Sequence, residues 1–195
     1  MTADPAPAEK QPDTRITYEH YLRLDDEGVL GPDDRVELLE GVIVSMAPHS
    51  PRHAAGVRRV TAALFRGVGD RGVVSCQLSL VAGRHSVSEP DVAVLPGSLA
   101  DYDRAHPTTA LLVVEVAEGS LPQDRLTKAA IYAAAGVPEY WIVNLRDDRI
   151  EVSREPVRSL RRYATTTVAT RGDHLELVAL PAVRVAVADL LPARD

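Results

Sequence analysis

The stretch LLVVEVAEGS, residues 111–120, places one acidic side chain, Glu115, in the middle of an apolar run. Successive side chains of a β-strand point to opposite faces, so Glu115 shares a face with Val113 and Ala117. Both faces are otherwise apolar, which is typical of a central strand covered by helices on each side. A carboxylate buried there is costly unless a cation, a metal ion or strong donors meet it. The stretch therefore predicts a buried central strand and a partner for Glu115.

The neighbouring sequence predicts an α/β (α+β) fold, with a mixed central β-sheet flanked by helices. We expect one domain over residues 15–195, preceded by a disordered tail over residues 1–14. Helices are predicted at 16–24, from Pro51 with Ser50 as the cap, and at 122–135 with Gly136 as the stop. Strands are predicted at 72–83, 89–96 and 139–145, and the VELLEG segment reads as a helix end or a strand.

Composition excludes several classes of protein. The single cysteine, Cys76, excludes an internal disulfide and a cysteine-based zinc site. No apolar run approaches the roughly 18 residues needed to span a membrane, and the N-terminus lacks the apolar core of a signal peptide. We therefore expect a soluble, cytoplasmic protein. The net charge of −6 argues against non-specific nucleic-acid binding. The arginine-rich segments 51–72 and 154–171 are equally compatible with phosphate contacts and with solvated faces.

A second acid in an apolar setting is Asp91, which follows Pro90 and opens the strand predicted at 89–96. If that strand pairs with the strand containing Glu115, the two carboxylates can lie side by side. Two such carboxylates repel each other, which raises a pKa or requires a cation between them. Carboxylate oxygens suit Mg²⁺ or Mn²⁺ better than zinc. Asp91 and Glu115 are thus candidate ligands of such an ion, if a cation and not a raised pKa resolves the repulsion.

The helix predicted at 122–135 contributes one cation. Lys128 lies four residues after Asp124 and four before Tyr132, so the three side chains share a helix face. One interpretation places Lys128 beside the two acids, where it neutralises them or helps to activate water. The other is a plain surface ion pair with Asp124, and spacing alone favours it.

His53 and Gln77, together with Asp124 and Tyr132, are candidates for auxiliary roles, and Glu37 is a further candidate acid. His53 shares a face with Val57 in the helix that starts at Pro51, so it points inward as a satisfied core histidine, a neighbour of the site, or a base. Glu37 lies in the first helical segment, near a helix-to-strand turn, and Gln77 lies in the strand predicted at 72–83. The sequence contains no glycine-rich phosphate loop, no GxSxG elbow and no HExxH spacing.

Several motifs together resemble one known family. They are VELLEG, VIVSMAP, SPRHA, EPDVAVL, LLVVEVAEGS, DRLTK and IYAAAGVPEYWIVNL, and the most specific is K-x₃-Y-x₃-GVPEYWIV after a strand ending in VEV. In this order they look like the Uma2 family of restriction-endonuclease-like proteins, and the resemblance covers nearly the whole chain after residue 14. It implies the PD-(D/E)XK nuclease fold. The loop AEGSLPQD departs somewhat from the family pattern.

The resemblance also implies an activity and a site. Asp91 and Glu115 would hold Mg²⁺, with Mn²⁺ as a substitute, and Glu37 would complete the metal site. Ala117 stands where the family fold usually carries its strand lysine, so Lys128 on the next helix would take that role and assist water activation. The implied function is a metal-dependent DNA endonuclease, acting as a homodimer. The alternatives are a non-catalytic nucleic-acid-binding or dimerising module, and a metal-dependent hydrolase with another substrate.

Overall fold

The computed structural model describes residues 14–31 and 33–193. The helices are α1 (Tyr18–Asp26), α2 (Pro51–Val68), α3 (Leu121–Gln123), α4 (Ala129–Ala135) and α5 (Val187–Leu190). The strands are β1 (Val36–Leu39), β2 (Val42–Ser45), β3 (Val73–Ser75), β4 (Leu80–Val81), β5 (Val87–Ser88), β6 (Val92–Leu95), β7 (Leu112–Ala117), β8 (Glu139–Asn144), β9 (Arg149–Val157), β10 (Arg162–Ala169), β11 (His174–Glu176) and β12 (Arg184–Ala186). A π-helical turn, Asp124–Lys128, joins α3 to α4.

The larger sheet has six strands in the order β10-β9-β8-β7-β6-β3. Strands β7 and β8 are parallel, and the other adjacent pairs are antiparallel. Parallel neighbours need a crossover connection, and here α3, the π turn and α4 provide it. The predicted mixed sheet with flanking helices is confirmed.

Strand β7 lies at the centre of this sheet and is buried along its whole length. On one face, Val114 and Val116 belong to the core cluster formed with α2. On the other face, Val113 and Ala117 pack in a second cluster with Ile131 of α4. Coverage on both faces explains why this strand reads as an almost continuous apolar run.

A smaller four-stranded sheet, in the order β2-β1-β5-β4, contains Glu37 in β1. The expectation that Glu37 lies in a helical segment is therefore wrong. Strands β1 and β2 form a tight hairpin whose two turn residues, Glu40 and Gly41, have φ values of 55° and 84°. Positive φ at both positions is the two-residue turn that suits the twist of antiparallel strands. Strands β11 and β12 form a separate antiparallel pair.

The single strand predicted over 72–83 is also wrong. Strand β3 ends at Ser75 in the larger sheet, and β4 begins at Leu80 in the smaller one. Gln77, in the connection between them, has a φ of 52°. A non-glycine residue with positive φ cannot continue an extended strand, so the chain turns there and passes from one sheet to the other.

All three predicted helices are confirmed, the last of them with a change. Ser50 caps α2 by accepting the His53 backbone N–H at 3.0 Å, and Pro51 occupies the first helical position. The segment predicted as a helix over 122–135 is helical and stops before Gly136, whose φ is 82°. Its first half contains the π turn, which no sequence pattern predicted.

The tail predicted over residues 1–14 lies outside the described residues, apart from Thr14. Within the ranges 14–31 and 33–193, no helix is both long enough and apolar enough to span a lipid bilayer. The short helix α5 is buried at Val187 and Leu190, where it packs in the larger core cluster.

Candidate active site

Asp91 and Glu115 lie next to each other on paired strands. Strands β6 and β7 are antiparallel with Val92 opposite Val114, so Asp91, one position earlier, falls opposite Glu115. The backbone N–H of Val116 donates to Asp91 Oδ2 at 2.8 Å. The pairing on which the sequence analysis depended is therefore present.

Lys128 reaches the acids because of the π turn. The backbone N–H of Ala129 donates to the carbonyl of Asp124, five residues earlier, as in a π-helix. Lys128 Nζ lies 3.1 Å from Glu115 Oε1 and 3.3 Å from Glu37 Oε1, and the residue is only 7% exposed. Among the described contacts Lys128 makes no ion pair with Asp124, so the interpretation as a plain surface pair is wrong.

Glu37 enters the site from the smaller sheet. Its Oε1 also accepts the backbone N–H of Glu89 at 2.8 Å, which holds the carboxylate in place beside Lys128. The candidate site thus combines Asp91, Glu115 and Lys128 from the larger sheet and its crossover with one acid from β1.

Glu115 has its pKa raised to about 8, because burial disfavours its charged form and Asp91 and Glu37 add repulsion. The Lys128 ammonium lowers the Glu115 pKa without offsetting these effects. Burial also lowers the pKa of Lys128, but Glu115 and Glu37 more than compensate, so the Lys128 pKa lies above its ordinary value. Tyr132 donates its hydroxyl hydrogen to Glu115 Oε1 at 2.8 Å and lies 3.1 Å from Ser88 Oγ. Glu115 therefore has two buried donors on one oxygen.

Asp124 is a further buried acid at the rim of the same site. It is 2% exposed, and Ser120 Oγ donates to its Oδ2 at 2.6 Å. Burial raises the pKa of Asp124, and the Ser120 hydroxyl and Lys128 only partly oppose this. Asp124 is thus close to the site without sharing its central hydrogen bonds.

A second group of polar side chains surrounds Asp91. His53 Nε2 lies 3.1 Å from Asp91 Oδ2, and Gln77 Nε2 donates to Asp91 Oδ1 at 3.3 Å. Burial raises the pKa of Asp91, but contacts with His53 and the Val116 N–H outweigh it and leave the pKa below its usual value. The structure therefore places two of the four predicted auxiliary residues, His53 and Gln77, in contact with Asp91.

These residues line an open cleft of about 470 Å³. Its described lining contains six acids against a single lysine: Glu37, Glu89, Asp91, Glu115, Glu118 and Asp124. Burial raises the pKa of Glu89 as well. Such an excess of carboxylates favours the binding of cations, and carboxylate oxygens are the ligands that Mg²⁺ and Mn²⁺ prefer. Asp91, Glu115 and Glu37 therefore fit a hard divalent ion.

The sequence analysis missed three residues of the cleft. His49 packs its ring 4.3 Å from that of His53, and desolvation and the charges of His53 and Arg35 lower its pKa. Glu118 accepts a hydrogen bond from Ser50 at the start of α2. Glu89 stands beside Glu37. Only His49 had a usable signal, since it lies four positions before a histidine that was itself a candidate.

The comparisons with known proteins identify the family. A model of the Uma2 family, described as "Putative restriction endonuclease", matches residues 18–188. The chain belongs to the Uma2 family. The Uma2 resemblance of the motifs is thus confirmed over most of the chain.

The fold of this Uma2 protein is also found in a solved structure. It is similar to the crystal structure of a "putative nuclease belonging to DUF820" from Anabaena variabilis ATCC 29413, with a TM-score of 0.72 and 16% sequence identity. The match covers 90% of this chain and 97% of the other. At that identity the likeness shows the fold alone, and it confirms the predicted nuclease-like architecture. No curated protein matches the chain.

Proposed function

We propose that this Uma2 protein is a metal-dependent endonuclease that hydrolyses phosphodiester bonds in DNA. The observation that carries the proposal is the convergence of Asp91, Glu115, Glu37 and Lys128 in one open cleft. This set provides acidic ligands and a buried ammonium on a fold shared with a nuclease family. The family description supports a nucleic-acid substrate.

Asp91 and Glu115 would hold Mg²⁺ or Mn²⁺, with Glu37 as an additional ligand directly or through water. The bound ion would lower the pKa of a coordinated water and neutralise charge on the phosphate. The positive charge of the ion would also offset the carboxylates of the cleft, which would otherwise repel a phosphodiester.

Lys128 acts as a donor in this proposal. Its raised pKa keeps it protonated at neutral pH, so it orients an attacking water or stabilises a phosphate oxygen by hydrogen bonding and does not accept a proton. Tyr132 donates to the same oxygen of Glu115 as Lys128 does, which helps to fix the orientation of the carboxylate. Asp91 is held in turn by His53, Gln77 and the Val116 N–H.

A homodimer is expected by analogy with restriction endonucleases, in which two symmetric copies of one site cut the two strands of a duplex. The absence of a lysine at Ala117 is the main sequence argument for the alternative, a non-catalytic binding module. Lys128 weakens that argument, because its ammonium contacts Glu115, the acid that lies two strand positions before Ala117.

The test is cleavage of supercoiled plasmid by the purified protein in Mg²⁺, Mn²⁺ or EDTA, together with Mn²⁺ binding. We expect metal-dependent nicking, and a loss of about 100-fold or more in Lys128→Ala, the size seen when a key donor is removed. Asp91→Ala should lose both cleavage and Mn²⁺ binding. Arg125→Ala is the matched control, because Arg125 lies on the same π turn but points to Glu151.

The outcomes separate the candidate functions. Cleavage unaffected by Lys128→Ala would contradict the role of the lysine. Mn²⁺ binding without cleavage in any metal would favour a hydrolase with another substrate. The absence of both Mn²⁺ binding and cleavage would favour the non-catalytic module.

A further inference from the structure

Beside the acidic site lies a group of three potential ligands that the proposed function does not use as a set. One ring nitrogen each of His49 and His53 and a carboxylate oxygen of Asp91 all lie within 4.8 Å of one another. All three residues line the cleft. Two imidazoles and one carboxylate form a donor set different from the all-oxygen set of Asp91, Glu115 and Glu37.

Gln77 marks the point between two of these ligands. Its side-chain nitrogen lies 3.2 Å from His49 Nδ1 and 3.3 Å from Asp91 Oδ1. An amide N–H group carries partial positive charge, so a weak donor occupies a position between two electron-pair acceptors. The Gln77 backbone, at a φ of 52°, turns the chain at this point, which places the side chain between the two ligands.

His53 has coordinating capacity that the protein does not satisfy. One nitrogen, Nε2, contacts Asp91 Oδ2, while Nδ1 is buried and has no hydrogen-bond partner among the described residues. The His49 ring lies against that of His53, with a centroid distance of 4.3 Å and an angle of 30° between the ring planes, so the two imidazoles are already close together.

The spacing is close to what a transition metal requires. Zinc binds imidazole nitrogen and carboxylate oxygen at about 2.0–2.2 Å, so two ligand atoms on one ion lie at most about 4.4 Å apart. The observed spread of up to 4.8 Å closes with a small side-chain movement. His49 can supply that movement, because it is only partly buried and lies in the loop before α2.

We propose that His49, His53 and Asp91 form a second cation site, selective for an imidazole-preferring divalent ion of the Zn²⁺ or Co²⁺ type. Three protein ligands leave a coordination position open toward the cleft, as in zinc sites that bind water or substrate. The site shares Asp91 with the acidic site, so occupancy of one influences the other. It goes beyond the proposed nuclease activity and does not depend on it.

The experiment is a titration with Co²⁺, followed by its visible absorption bands, and competition by Zn²⁺ measured calorimetrically, both in excess Mg²⁺. We expect one Co²⁺ bound per chain with an absorption typical of nitrogen and oxygen ligands. His49→Ala and His53→Ala should each weaken Co²⁺ binding by about 10-fold or more. Circular dichroism of each variant checks that it is folded. If His53→Ala does not fold, His49→Ala alone tests the proposal.

Two control variants distinguish this site from the acidic one. His174→Ala removes an exposed histidine of β11 and should bind Co²⁺ like the wild type. Glu115→Gln weakens the acidic site and should not weaken Co²⁺ binding. Equal Co²⁺ affinity in His49→Ala and the wild type, or a loss confined to Glu115→Gln, would overturn the proposal. Plasmid cleavage is not a readout, so an inactive enzyme does not affect the result.

Discussion

Lys128 illustrates how one residue type can be required at one position. The sequence contains 20 arginines but only two lysines, and one of the two is this buried residue. A lysine ammonium is a compact charge on a flexible stem, whereas a guanidinium is a planar fork that needs more room. The space between Glu37 and Glu115 therefore suits lysine, and the rarity of lysine elsewhere is a signal that the spacing analysis did not use.

Glu115 gives a prediction about pH in the absence of metal. Its folded pKa of about 8 lies above the ordinary 4.5, so the native state binds this proton more tightly than the unfolded chain does. The corresponding stability is fully present below pH 4.5 and is lost as the pH rises through about 8. In EDTA we expect the free energy of unfolding to fall with a slope of about 1 kcal/mol per pH unit from this residue alone.

Urea unfolding of wild type and Glu115→Gln across that range measures the effect. Glu115→Gln should show a clearly shallower dependence on pH, because the amide does not titrate. Glu118→Gln, an exposed acid just beyond the end of the same strand, should keep the wild-type slope. Equal slopes in all three proteins would show that Glu115 does not carry a raised pKa.

At the scale of elements, the crossover between β7 and β8 sets the geometry of the site. The π turn places Asp124 and Lys128 on the inner side, and α4 continues to Gly136, where the chain turns toward β8. The Gly136 N–H bonds to the carbonyl of Ala133, and Val137 bonds to that of Tyr132. The end of α4 thus fixes the helix that carries Tyr132.

Gly136→Ala tests this helix end. A φ of 82° is strained for a residue with a side chain, and an added Cβ would also meet the Arg158 guanidinium. We expect the free energy of unfolding to fall by about 1 kcal/mol. Gly119→Ala is the control, because nothing lies within 4 Å of its added Cβ and its φ is not positive. Chemical denaturation measures both, and an equal effect of the two variants would contradict the assignment.

The sequence predicted the elements that have a strong pattern. The apolar run of β7, the capped start of α2 and the glycine stop after α4 are all local signals, and each is found in the structure. The pairing of Asp91 with Glu115 followed from two acids at corresponding strand positions. These features depend on neighbours in sequence or on adjacent strands.

The remaining features depend on tertiary context. The VELL segment is too short for its periodicity to separate helix from strand, so Glu37 was placed in the wrong element. The break at Gln77 needs a positive φ at a non-glycine residue, for which no residue type is diagnostic. No residue type in the segment Asp124–Lys128 is characteristic of a π turn either. The position of Lys128 could therefore be inferred from the family pattern but not from helical spacing.

At the scale of the whole molecule, the acids of the cleft come from two sheets. Glu37 belongs to the four-stranded sheet, while Asp91 and Glu115 belong to or adjoin the six-stranded one. Within the described residues, Lys128 is the lysine that joins them. The cleft therefore exists only while the two sheets are held together.

This division has a consequence for amide hydrogen exchange. If β1 and β2 open as a local unit, a divalent ion bound by acids of both sheets must dissociate first. When the free ion concentration is 100 times the dissociation constant, this raises the free energy of opening by about 2.7 kcal/mol. Exchange of the β1–β2 amides should then slow about 100-fold in saturating Mn²⁺ or Mg²⁺, while the β9–β10 hairpin, which lies within one sheet, changes little. Mass spectrometry of the β1–β2 peptide would thus report occupancy of the metal site without any need for a substrate.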